Sequence, residues 1–132
     1  MIFVDSSAIH AYLDSSDARH DEAADSLAGW LRSGRDLVSH NYVIVEAVAL
    51  AQRWLGAGAA AELMRDLVPL FRIVWVDRDL HDRVTASFLA AQNRRISLVD
   101  WTCFIVMRDE GIDTAFAFDA DFEAQGFRTV PG

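Results

Sequence analysis

At 132 residues with a hydrophobic share of 52%, the chain has the length of one compact domain and too much apolar content for disorder, and no apolar run reaches the about 20 residues a membrane span needs. The formal net charge of −8 and the pI near 4.7 exclude the broad basic footprint of most nucleic-acid binders, so an RNA or DNA partner would have to be met by a local arrangement of charge. A single cysteine, Cys103, excludes an internal disulfide and a cysteine-based zinc site, and all twelve basic residues are arginine, which excludes every mechanism that needs a lysine.

The chain starts MIFVDSS, with no basic segment ahead of its apolar one, so the expectation is a cytoplasmic protein without a signal peptide. Ile2–Val4 reads as a short strand that ends at Asp5, and Ser6–Leu13 as a brief helix. Ser15, Ser16 and Asp17 break the chain before a helix over His20–Arg32, whose apolar residues recur at helical spacing and which Gly34 ends. Leu37–Ser39 predicts a second strand and Tyr42–Leu55 a helix capped by Asn41. Gly56 and Gly58 precede a helix over Ala59–Leu67, and Pro69 stops it. Phe71–Val76 predicts a buried strand, Asp79–Asn93 and Ser97–Glu110 two helices, and Ala115–Phe118 and Phe127–Val130 the last strands. Strands this apolar, alternating with helices, predict a single α/β domain over residues 1–132 with a mostly parallel central sheet covered by helices.

Ligands of open α/β sheets bind beyond the carboxyl ends of the strands. Asp5 follows IFV and Asp119 follows AFAF, so both emerge at that edge; each also suits the N-cap of the next helix. Glu46 is the only charge in YVIVEAVALA, and a carboxylate among apolar neighbours calls for a cation, either a metal or an arginine. Asp100 lies three residues after Ser97, in capping-box spacing and in the first turn of a helix. Singly, each acid has a structural explanation. Jointly, four acids embedded in apolar sequence point to a hard divalent cation such as Mg²⁺ or Mn²⁺, bound through carboxylate oxygens and acting on a phosphate ester. Asp121, Ser6 and Ser97 are candidates for the surrounding shell. Arg94 and Arg95 form the only adjacent basic pair; they read either as a phosphate grip beside the metal or as a solvated helix end. The four histidines show no metal-ligand spacing and read as surface or loop residues. Cys103 reads as a buried small hydrophobe.

IFVDSS, the glutamate of YVIVEAVAL, SLVDWTCFIVMRDEGI and AFAFDADFEAQGF together resemble the PIN-domain family, and more narrowly its VapC toxins of bacterial toxin–antitoxin pairs. The resemblance runs from Ile2 to Phe127, and its last two segments are the most specific. It implies a Mg²⁺- or Mn²⁺-dependent endoribonuclease acting on transfer or ribosomal RNA, with Asp5, Glu46, Asp100 and Asp119 as catalytic acids and metal ligands and Asp121 beside them. It also implies a homodimer silenced by a cognate antitoxin. Ser6 stands where many relatives carry threonine and keeps the hydroxyl. Two alternatives come from other classes. A catalytically idle PIN-like module would bind RNA or protein equally well without metal. A receiver-like phosphoacceptor domain needs paired acids at the first strand and a late lysine, and this sequence has neither.

Overall fold

A computed structural model describes residues 1–132, and its backbone is a five-stranded, entirely parallel sheet of order β3-β2-β1-β4-β5. The strands are β1 (Ile2–Val4), β2 (Leu37–His40), β3 (Arg72–Val74), β4 (Thr114–Phe116) and β5 (Arg128–Val130). The helices are α1 (Ser6–Leu13), α2 (His20–Arg32), α3 (Asn41–Trp54), α4 (Ala57–Glu62), α5 (Arg78–Ala91), α6 (Leu98–Glu110) and α7 (Asp121–Ala124). β1 and β4 are adjacent, with Phe3 opposite Ala115 and Val4 opposite Phe116. The first connection leaves β1 towards β2, and the last leaves β4 towards β5, so the topology switches between β1 and β4. Helices diverge there and leave a crevice at the carboxyl ends of the strands.

Burial follows the order. β1, β2 and β4 are buried throughout and, with Ile9, Val43, Phe104, Met107 and Phe122, form the core. The edge strands β3 and β5 are only partly buried. The expected Phe71–Val76 strand therefore shrinks to three residues: one flank of β3 has no neighbour, and Trp75 beyond it is 72% exposed. The expected helix over Ala59–Leu67 begins two residues earlier and changes character, passing into a π turn at Leu63–Leu67 and a 3₁₀ turn at Val68–Leu70 that contains Pro69. The missing amide of the proline ends the regular ladder.

Two cap assignments also differ from expectation. Asn41 is the first residue of α3 rather than its cap; its side chain accepts from the Val76 amide (2.6 Å), which ties α3 to the end of β3. The cap is His40, whose Nδ1 accepts from the Val43 amide (3.2 Å). His40 is fully buried rather than a surface or loop residue, and burial pushes its pKa down to about 3, so the ring is neutral. With Nδ1 accepting, the proton resides on Nε2, which donates to Cys103 Sγ at 3.2 Å.

Candidate active site

The crevice at the switch point is a cleft of about 780 Å³ lined by residues from α1, α3, α6 and the loop after β4. Asp5, Glu46, Asp100 and Asp119 all line it, although they lie far apart in the chain. Each is positioned by a different local device.

Asp5 directly follows β1, its amide bound to the Phe116 carbonyl of β4 (3.0 Å). Its side chain caps α1 by accepting from the Ser7 amide (3.2 Å) and the Ser7 hydroxyl (2.6 Å). The same Ser7 oxygen accepts from the Phe118 amide (3.0 Å), so one hydroxyl couples Asp5 to the loop that carries Asp119. Cys103 closes the other side, its thiol 4.0 Å from Asp5 Oδ1. Asp5 is almost fully buried, and burial pushes its pKa up from 3.8 to about 6, against the lowering effect of the Ser7 hydrogen bonds and with help from Asp100. Glu46 has a hydroxyl partner too: Ser6 Oγ donates to Glu46 Oε1 at 2.6 Å. The nearest partner of this carboxylate is thus neutral, and no arginine pairs with it.

Asp100 and Asp119 are held by backbone. Ser97 and Asp100 form a complete capping box at the start of α6, with the Asp100 amide donating to Ser97 Oγ (3.1 Å) and the Ser97 amide to Asp100 Oδ2 (3.3 Å). Desolvation raises the Asp100 pKa, the Ser97 amide opposes it, and the negative charges of Asp119 and Glu46 raise it further. Asp119 Oδ1 accepts from the Asp121 amide (2.9 Å), a local turn that leads into α7. Carboxylate oxygens of Asp100, Asp119 and Asp121 lie within 4.8 Å of one another.

Uncompensated negative charge is what this arrangement has in common. Two carboxyls are held above their ordinary range and no cationic side chain forms an ion pair with any of the four, so the donor set is all oxygen and anionic. Those are the properties a hard divalent cation selects, and the residues fit such an ion.

Of the other residues singled out in the sequence, Ser6 and Ser97 line the cleft beside the acids, and Asp121 adjoins them through Asp100 and Asp119. Arg94 and Arg95 do not enter it. Both are exposed, and Arg94 borders a separate depression with Phe88 and Leu89. Sequence reasoning missed Ser7 and the outer wall of the cleft formed by His10, Arg19, Leu50 and Trp54. The signal for Ser7 was present in the doublet DSS, where a residue two positions past a helix cap is within reach of the capping carboxylate.

The PIN-domain profile matches residues 2–128. The 23S rRNA-specific endonuclease VapC20 of Mycobacterium tuberculosis is 37% identical over 132 residues, 98% of each chain. The crystal structure of that sarcin-ricin-loop-cleaving toxin aligns with a TM-score of 0.81, at 35% identity over 96% of each chain. FitAcB from Neisseria gonorrhoeae shares the fold at 16% identity, with a TM-score of 0.70 over 98% of this chain and 96% of the other.

Proposed function

The chain belongs to the PIN-domain family, and from that premise we propose that it is a VapC-type toxin: an endoribonuclease that hydrolyses a phosphodiester bond of 23S ribosomal RNA in the sarcin-ricin loop. The observation that carries this reading is the convergence of Asp5, Glu46, Asp100 and Asp119, from four separate elements, into one cleft. Likeness to an RNA-cutting relative along the whole chain supplies the substrate class.

Asp5, Glu46, Asp100 and Asp119, with Asp121 beside them, would hold Mg²⁺, and Mn²⁺ would be able to replace it. When bound, the ion supplies the positive charge that draws in the scissile phosphate and acidifies the attacking water. The chain's own residues do the positioning. Ser7 fixes Asp5 and, through the Phe118 amide, the loop that presents Asp119. Ser6 donates to the Glu46 carboxylate and orients it, and the capping box holds Asp100 against the N-terminal dipole of α6. The protein needs no nucleophilic side chain, because water attacks phosphorus directly.

Two partners belong to the same reading. A cognate antitoxin silences the enzyme by placing an arginine among the acids where the cation would otherwise lie. A second copy covers the edge of the sheet, where Leu70 and Trp75 flank β3 and are 46% and 72% exposed. The substrate test is incubation of ribosomes with purified protein and Mg²⁺, followed by mapping of new RNA ends. Ends confined to the sarcin-ricin loop are expected; intact 23S rRNA, with cuts in transfer RNA instead, would refute the substrate. Light scattering that showed a monomer at micromolar concentration would refute the dimer.

A further inference from the structure

We infer that Trp54 is a stacking platform for an unpaired RNA base lying a short stretch of strand away from the scissile phosphate. The inference rests on the nuclease reading above and concerns the part of the cleft that the carboxylates do not occupy. Glu46, Leu50 and Trp54 are spaced four residues apart along α3, and all three line the cleft. Eight residues at 1.5 Å each place Trp54 about 12 Å along the helix axis from Glu46. RNA with its phosphate at the acids must leave through this cleft, and its wall at that distance is an indole.

Three observations suit that wall to a base. Trp54 is 65% exposed, a large aromatic surface turned to solvent. The Arg53 guanidinium lies over one face of the ring, 5.1 Å from its centroid, which leaves the other face for a ligand. Arg53 has no carboxylate partner, so its charge is available to a neighbouring phosphate. A nucleotide matches the combination of one flat apolar ring with a cation over its other face. An apolar peptide matches it poorly, because Leu50, Trp54 and Leu55 are the only apolar residues among the fourteen that line the cleft. A loop of ribosomal RNA presents unpaired bases of the required kind.

The experiment measures binding of a short single-stranded RNA to the full-length protein carrying Asp100→Asn, which prevents cutting, with Trp54 intact or replaced. Trp54→Ala should weaken binding by roughly tenfold, within the range that loss of one base–aromatic stack produces. Trp54→Phe, which keeps a flat ring, should stay within about threefold of the parent. With Asp100 restored, Trp54→Ala should raise KM by the same factor and leave kcat within about twofold. Equal affinity of the Trp54→Ala protein and its parent would overturn the inference. So would a Trp54→Ala effect confined to dimer assembly or to antitoxin binding, since the ring would then serve a protein partner. Failure here is separable from failure of the nuclease reading: cleavage that survives Asp100→Asn sinks that reading whatever Trp54 does, whereas cleavage lost with Asp100 and indifferent to Trp54 sinks the platform alone.

Discussion

The two halves of the carboxylate cluster are built on different principles. Asp5 and Glu46 are fixed by hydroxyls of neighbouring serines, Ser7 and Ser6, and Asp5 is buried deeply enough to hold its pKa near 6. Asp100 and Asp119 are fixed by backbone amides within three residues of themselves and remain partly open to solvent. The first half is tied together by tertiary contacts, Ser6 to Glu46 between α1 and α3 and Ser7 to the Phe118 amide, whereas the second rests on local turn geometry. Charge is thereby tolerated by the fold at two different costs. Burial disfavours the ionised form of Asp5, whereas Asp119 is partly open to solvent.

The largest expected effect comes from neutralising one acid in each half. Asp5→Asn and Asp100→Asn should each lower RNA cleavage in Mg²⁺ by more than the roughly 100-fold that losing an outer-shell partner of a metal costs. Full activity in either purified variant would show that its half is dispensable.

Stability of the metal-free protein sharpens the contrast. The Asp5 carboxyl ionises near its ordinary 3.8 when unfolded and near 6 when folded, so between those values the folded state holds the extra proton. Its contribution is full below about pH 3.8 and is lost as pH rises through about 6, at most on the order of 3 kcal/mol. His40 acts in the opposite sense, since its folded pKa near 3 lies below the ordinary 6.5, and its contribution is lost as pH falls. The two oppose each other in the total curve, and comparison with Asp5→Asn isolates the acid. In chelator, Asp5→Asn should be the more stable protein at pH 7 and should lose that advantage by pH 4. Denaturant midpoints that differ equally at both pH values would contradict the buried, charge-averse Asp5.

Ser7→Ala comes next, because one hydroxyl serves both halves. Removing it leaves the Phe118 amide without its acceptor and Asp5 without its shortest partner. About 1–3 kcal/mol of stability should go with it, and thermal unfolding in chelator reads that directly. The smallest effect is expected from Ser97→Ala, about 1 kcal/mol from the lost cap of α6, with cleavage reduced less than in Ser7→Ala. The reverse order of activities would mean that the backbone-held half is the more fragile.

The backbone-held half was largely legible in the sequence. SLVD has capping-box spacing, and AFAFDAD places an acid directly after an apolar strand, so position along the chain nearly determines position in space. Asp5 was legible for the same reason, as the residue that ends IFV. What escaped was tertiary. The Ser7 bond to the Phe118 amide spans 111 residues, and no local pattern announces it. His40 has no metal-ligand spacing and reads as a surface or loop residue, yet it ends the interior strand β2 between Val43 and Cys103, where a neutral imidazole can satisfy both ring nitrogens. Arg94 and Arg95 adjoin Asp100 in sequence, but α5 ends at Ala91 and the loop that follows leaves both exposed outside the cleft. Nothing local in the sequence distinguishes Trp54 from the other tryptophans; only the course of the cleft along α3 sets it apart.

The central claim is that the two halves form one divalent-cation site that cuts RNA. It is tested most directly by calorimetric titration of Mg²⁺ or Mn²⁺ into wild type, Asp5→Asn and Asp119→Asn, with cleavage of the sarcin-ricin-loop RNA measured on the same preparations. Binding and cleavage should fall together in both variants, each of which removes a ligand from a different half. If one variant bound the cation and cut RNA as wild type does, the halves would not form one site, and the account would be wrong.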